Sequence, residues 1–223
     1  MFFLEIDDVL TQAEVQRLRA WSRGGRFADG RISSPHSTVK NNLQIDHADP
    51  VFQESSRLMA GALQRCEAFQ AFAFPRRFAP PMLAKYAPGM NYGFHSDAAF
   101  MAVGETPLRS DLSCTLFIAE PSAYEGGELC IRLGTREILF KGAAGSTIVY
   151  PSTTLHQVTP VTAGERLVGL TFIESRIPDP VNRELLWQLD EVYAAEGLQM
   201  SWENRTRLQY VRNSLLRTWS ERG

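Results

Sequence analysis

Between residues 82 and 175 the chain breaks into eight short runs of β-type residues, cut apart by glycine and proline, and this pattern restricts its fold more than any other feature. The runs fall at 82–86, 92–95, 112–118, 127–133, 135–140, 146–150, 155–161 and 165–175. Turn signals separate them at Pro88-Gly89, Glu125-Gly126-Gly127, Gly134, residues 142–145 and Gly164. A run of five residues cannot bury an apolar face by itself. Eight such runs at this spacing predict two antiparallel sheets facing each other, a jelly roll or double-stranded β-helix.

Helical signals flank that core. Thr11 with Glu14 three residues on forms a capping box after a short extended piece, and Gly24-Gly25 closes the helix. Asp49 as N-cap and Pro50 at the first position open a second helix, with Val51, Leu58, Met59, Ala62 and Leu63 on its apolar side, running up to Pro75. Residues 26–48 read as polar and irregular. Beyond Pro178 and Pro180 the pattern is helical again over 181–196 and, after Gly197, over 201–219. This pair either packs on the sheet or forms a subunit contact, so a homodimer through the C-terminal helices is one expected arrangement. The expected fold is mainly β with flanking helices: a double-stranded β-helix domain with N-terminal helices over 1–178, then a helical extension over 179–223.

A hydrophobic fraction of 44% is ample for the core of one sizeable domain. The net charge of −2 gives no basic surface for nucleic acid, and Arg76-Arg77 is too short to track a phosphate backbone. The start, Met1-Phe2-Phe3-Leu4, is interrupted at once by Glu5, Asp7 and Asp8, unlike a signal peptide, and no run approaches the ~18 apolar residues of a membrane span. Cys66, Cys114 and Cys130 are odd in number and show no CxxC spacing, so reduced, buried thiols in a cytoplasmic protein are expected.

Chemistry concentrates in His95-Ser96-Asp97, with His156 much later in the chain and Arg166 ten residues after it. In an extended segment residues i and i+2 share a face, so His95 and Asp97 can converge on one ion. Two imidazoles and one carboxylate on one face of an octahedral metal leave three positions open, the arrangement of non-haem Fe(II) oxygenases. A second triplet, His47-Ala48-Asp49, is a decoy, because the Asp49 carboxylate is claimed as a helix N-cap. His36 lies in the polar segment before the β-rich half. Residues 155–161 and 165–175 read as a hairpin turning at Thr162-Ala163-Gly164, which places His156 and Arg166 on one sheet face roughly 13 Å apart at ~3.3 Å per residue. From there the guanidinium could reach back to the far carboxylate of a metal-chelating co-substrate.

Taken together these residues resemble the Fe(II)/2-oxoglutarate dioxygenases, and within them the PKHD-type hydroxylases akin to prolyl 4-hydroxylases. The resemblance runs through Val39-Lys40-Asn41-Asn42, Lys85-Tyr86, and Tyr92-Gly93-Phe94-His95-Ser96-Asp97. It continues in Asp111-Leu112-Ser113-Cys114-Thr115-Leu116-Phe117, Tyr124-Glu125-Gly126-Gly127-Glu128-Leu129, Tyr150-Pro151-Ser152 and Leu155-His156-Gln157-Val158. It ends on Pro160-Val161-Thr162-Ala163-Gly164-Glu165-Arg166. The resemblance implies Fe(2+) held by His95, Asp97 and His156, 2-oxoglutarate held by Arg166, and a contact from the Tyr86 hydroxyl to that co-substrate. It also implies L-ascorbate (vitamin C) as the reductant that restores iron after uncoupled turnover. One departure is Phe172, where such enzymes usually carry Trp.

The implied reaction consumes O2 and 2-oxoglutarate, releases succinate and CO2, and hydroxylates a peptidyl or amino-acid residue or a small metabolite. Lys40, Asn41, Asn42 and Gln44 form a polar strip that could hydrogen-bond a substrate amide or lie in a solvated loop, and Tyr92, Phe94 and Phe100 could line a pocket or fill the core. Two rival readings stay open at this level: a cupin-like metalloenzyme that does not use 2-oxoglutarate, and a non-catalytic metal-binding jelly-roll module.

Overall fold

The computed structural model describes residues 3–33 and 37–221. Two antiparallel sheets carry the β-rich half. The larger has eight strands in the order Leu4–Ile6, Thr147–Pro151, Leu112–Phe117, Arg166–Ser175, Met82–Tyr86, Leu43–Ile45 and Phe27–Asp29, with Pro75–Phe78 paired to the far end of Arg166–Ser175. The smaller has five: Arg136–Phe140, Leu129–Leu133, His156–Val158, Asn91–His95 and Lys40–Asn41. The jelly-roll expectation is borne out.

Alternation within the large sheet assigns its two faces. Leu112, Cys114 and Leu116 join Leu83, Leu167 and Ile173 in a core roofed by helices, whereas Phe117, Ala84, Tyr86 and Val168 face the small sheet and pack with Leu129, Ile131 and Val158. Burial on both faces explains why Leu112–Phe117 is buried at every position. The roof is α1 (Gln12–Gly24), α2 (Pro50–Arg65) and α3 (Glu67–Ala73), which contribute Val15, Leu18, Met59, Leu63, Phe69 and Phe72. The Thr11–Glu14 capping box and the Asp49 cap form as the sequence predicts. The second helix does not run unbroken to Pro75, however. Cys66 is extended (φ −80, ψ 105) and splits it, so that Phe69 and Phe72 turn into the core.

After the barrel come α4 (Pro180–Glu196) and α5 (Trp202–Trp219). Helix α4 packs on α3, not on the sheet: the Trp187 ring meets Phe72 edge-on at 5.7 Å. Helix α5 has no buried residue and is tied to α4 by the Arg212–Asp190 pair and by Arg205 and Gln209 on the Tyr193 hydroxyl. Among the described residues no helix is long and apolar enough to cross a membrane.

Two further sequence expectations need correction. Residues 26–48 are not an irregular loop. Three short strands lie there, and the side chains of Lys40, Asn42 and Gln44 are buried, since alternate positions of an extended segment face inward. The expected 155–161/165–175 hairpin does not exist either. His156–Val158 pairs with the strands of His95 and Ile131, whereas Arg166–Ser175 pairs with Met82–Tyr86 and Leu112–Phe117 in the opposite sheet. Between them Val161–Gly164 is diverted to pair with Tyr124–Gly126.

That diversion depends on glycine. Gly164 has φ +73, and a Cβ there would sit 2.1 Å from the Ala123 carbonyl oxygen; Gly126 has φ +67 with the Pro160 carbonyl oxygen 2.0 Å from the same imagined atom. Gly164→Ala is therefore expected to destabilise the fold by at least about 2 kcal/mol, from left-handed strain together with backbone overpacking. Urea unfolding measures it, and a loss below the experimental error would show that the crossing tolerates a side chain.

Candidate active site

The small sheet brings the two distant histidines together. His156 and His95 are register partners on neighbouring strands, so their side chains leave the sheet on the same face, with ring centroids 4.2 Å apart. Asp97 follows the end of the Asn91–His95 strand, and its backbone N–H donates to the Ser152 carbonyl at 3.1 Å, which turns the carboxylate in beside both rings. Its oxygens stand 3.8 Å from His95 Nε2 and 3.7 Å from His156 Nε2. One ligand atom from each of the three residues lies within 4.8 Å of the others.

The remaining ring nitrogens are engaged. His95 Nδ1 hydrogen-bonds the Gly93 carbonyl at 2.8 Å, and His156 Nδ1 the Thr154 carbonyl at 2.9 Å. A backbone carbonyl can only accept, so each Nδ1 carries the proton and each Nε2 presents a lone pair toward the space beside the Asp97 carboxylate. Burial, and then the neighbouring His156 imidazole, hold His95 down to about 4, keeping it neutral at physiological pH. Tyr92 stacks on the His95 ring at 3.6 Å and fixes its plane.

Sequence reasoning assigned no role to the serines behind Asp97. Ser113 Oγ donates to Asp97 Oδ2 at 2.5 Å, and Ser152 links Ser113 to Ser110 at 2.8 and 2.7 Å. The available signal was Ser113 as a polar residue at an inward position of a largely apolar strand. Phe172 is the register partner of Ser113, so the residue that departs from the family pattern lies beside this support. No fourth His, Cys, Asp or Glu joins the cluster among the described residues, which leaves it open-faced in the manner of a catalytic metal site.

Arg166 lies on the opposite wall. It is 1% exposed, its guanidinium carbon is 4.9 Å from the Tyr86 ring centre, and Nε and Nη1 have no hydrogen-bond partner. Tyr86 is its register partner and is likewise buried, which pushes the phenol up, with Arg166 and Asn42 partly offsetting the shift. The sequence-predicted set therefore converges on one interior, although across the barrel and not along a hairpin. The other histidines play no part. His47 stacks on Phe52, and Asp49 accepts from the backbone of Val51 and Arg26; His36 lies outside the described residues. Of the aromatic candidates, Phe94 faces outward under the Arg132 guanidinium at 3.7 Å, and Phe100 is exposed. Lys40 points inward, donating to Ser33 Oγ at 2.7 Å and lying 5.2 Å from the Tyr92 ring, and burial holds its ammonium down to about 8.

Residues 81–174 match the family model of the 2OG-Fe(II) oxygenase superfamily. A PKHD-type hydroxylase from Sphingopyxis alaskensis is 49% identical over 205 residues, covering 92% of this chain and 94% of that one. The chain belongs to the PKHD-type hydroxylases of this superfamily. A Shewanella PKHD-type hydroxylase is 40% identical over 221 residues, with 98% and 99% covered. A Pseudomonas putida prolyl-4-hydroxylase structure is similar in fold, with a TM-score of 0.56 at 21% identity over 78% of this chain and 92% of that one. The protein is thus an Fe(II)- and 2-oxoglutarate-dependent hydroxylase of unidentified substrate.

Outer-sphere support of a metal ligand typically changes affinity ten- to hundredfold. Ser113→Ala is accordingly expected to weaken Fe(II) binding by roughly that factor while leaving the fold intact. Anaerobic Fe(II) titration checks it, and unchanged affinity would show that Asp97 is oriented by the backbone alone.

Proposed function

We propose that this PKHD-type hydroxylase binds Fe(2+) through His95, Asp97 and His156 and takes 2-oxoglutarate on Arg166 and Tyr86. The observation that carries this reading is the buried guanidinium whose Nε and Nη1 are unpartnered on the wall facing the three ligands. Buried guanidinium N–H groups without an acceptor are unfavourable, and an anionic ligand on this wall relieves that cost. A metalloenzyme without 2-oxoglutarate would leave those donors unexplained. The donor set, two neutral imidazoles and one carboxylate with further positions free, suits Fe(II). Bound together, iron and 2-oxoglutarate supply O2 activation and the oxidative decarboxylation that yields succinate and CO2.

The chain's own contribution is orientation and exclusion of water. The carbonyls of Gly93 and Thr154 fix which imidazole nitrogen faces inward, Ser113 holds the carboxylate, and Arg166 anchors the far end of the co-substrate in a dry pocket. The hydroxylated group is read as a peptidyl or amino-acid residue or a small metabolite, and ascorbate as the reductant after uncoupled turnover. Three unpaired thiols support a cytoplasmic setting. Residues 179–223 are read as a helical extension of a dioxygenase domain over 1–178, and exposed Leu185 and Val192 on α4 support a homodimer through it.

Adding 2-oxoglutarate to the anaerobic Fe(II) protein is expected to raise the weak visible charge-transfer band of the chelate. Its absence in wild type would reject the reading. Individual alanine substitutions of His95, Asp97 and His156 should abolish succinate formation. Arg166→Ala should weaken 2-oxoglutarate binding by roughly a hundredfold or more, as expected for loss of charge-assisted contacts, with Fe(II) loading nearly unchanged.

A further inference from the structure

Among the described residues, four buried side-chain nitrogen and oxygen atoms lack a hydrogen-bond partner, and they belong to only two residues. Two are Arg166 Nε and Nη1; the others are Nδ2 and Oδ1 of Asn42. Buried polar groups are otherwise satisfied almost everywhere in folded proteins, so both halves of an amide left unpaired at one position need a cause.

The register shows where Asn42 stands. Leu43 pairs with Lys85 and Gln44 with Ala84 in the antiparallel ladder, which sets Asn42 opposite Tyr86, and Tyr86 is paired in turn with Arg166. Asn42, Tyr86 and Arg166 therefore occupy one row across three adjacent strands, with their side chains on the same inward face. Asn42 is 3% exposed. On its other side Gly30 donates its N–H to the Asn42 carbonyl, and a Cβ on Gly30 would fall 1.8 Å from Oδ1. Only the bare glycine backbone leaves room for the carboxamide. The Tyr86 hydroxyl lies near enough to the amide to have its ionisation eased, yet the two are not aligned as a hydrogen bond.

We infer that Asn42 is a further co-substrate-binding residue: its Oδ1 lies against Gly30, and its Nδ2, on the pocket side, donates to a carboxylate oxygen of 2-oxoglutarate. The inference rests on the assignment of Arg166 and Tyr86 to 2-oxoglutarate. It extends that pocket by one strand and explains the two orphaned residues by a single dianionic ligand. Arg166 supplies charge, and Asn42 supplies a neutral donor that adds no net charge beside the metal. A purely structural Asn would instead spend its amide on protein partners, as Asn41 does in donating to the Gly89 carbonyl at 3.2 Å.

The test uses the full-length Fe(II) protein under anaerobic conditions, with 2-oxoglutarate titrated against the chelate band, alongside the melting temperature of the metal-free protein. Asn42→Leu keeps the shape and removes both polar atoms. It is expected to weaken 2-oxoglutarate binding by roughly ten- to hundredfold, as for loss of a hydrogen bond to a charged group, while the metal-free protein melts at the same temperature or higher. Asn42→Asp keeps the shape, exchanges the donor for a negative charge, and should weaken binding at least as much. It also serves as the second reading should the leucine variant fail to fold. Fe(II) affinity stays within twofold of wild type in both. A normal chelate band with 2-oxoglutarate affinity within twofold of wild type in either folded variant overturns the role of Asn42. So does a lowered melting temperature of the metal-free Asn42→Leu protein with co-substrate affinity unchanged, since that is the mark of a packing role. Absence of the band from wild type would instead condemn the parent assignment.

Discussion

The site depends on one strand pairing. His156–Val158 lies against Asn91–His95 in a register that sets the two imidazoles side by side, with an irregularity between His156 and Val158. A one-residue slip would send one imidazole to the outer face, where Phe94 already meets Arg132, because side chains alternate across a sheet. The register is held from both flanks. Ile131 of the neighbouring strand pairs with His156 and is fully buried, and Lys40 pairs with Tyr92. Asp97 needs no strand of its own, because the Ser152 carbonyl and the Ser113 hydroxyl bring it to the rings. The convergence of His95, Asp97 and His156 is thus a consequence of sheet packing, with each side chain fixed by a backbone carbonyl or by the Ser113 hydroxyl.

Much of this was legible in the sequence because it rests on local chemistry. The capping box at Thr11, the Asp49 cap that removed one HxD triplet from contention, and the turns at glycine each act within a few residues. The pairing of Ala163 with Glu125 does not, and it was missed. Nothing near Thr162-Ala163-Gly164 distinguishes a hairpin turn from a crossing between sheets. The distinction lies in Ala123, forty residues away in the chain, whose carbonyl occupies the space a side chain at position 164 would need. Arg166 and His156 nevertheless end on facing sheets. A jelly roll has one interior, and alternation puts Arg166, like Val168, on the face of the large sheet that looks into it.

The misread segment from 26 to 48 has a different cause. Its composition is that of a solvated loop, and composition carries no information on which side of a strand a polar residue faces. Lys40, Asn42 and Gln44 are inward because the chain there leaves the small sheet and joins the large one between Met82–Tyr86 and Phe27–Asp29. Polar residues are tolerated at such a position only if the interior they enter is itself polar. Here it contains a buried guanidinium, two imidazoles and a carboxylate.

That concentration of polarity needs a stiff frame, since an interior with unsatisfied donors would otherwise relax to pair them internally. The large sheet supplies the stiffness by being buried twice. Leu83, Leu116 and Leu167 anchor it beneath the helices, while Ala84, Phe117 and Val168 anchor it against the small sheet. Arg166 thus lies between two locked neighbours, with Tyr86 across the ladder and Gly127 so close that a Cβ there would sit 3.1 Å from the arginine Cδ. Its Nε and Nη1 are left without a protein acceptor. Packing alone keeps its donors available, and the stability given up at those atoms is recovered only when a ligand of matching charge arrives.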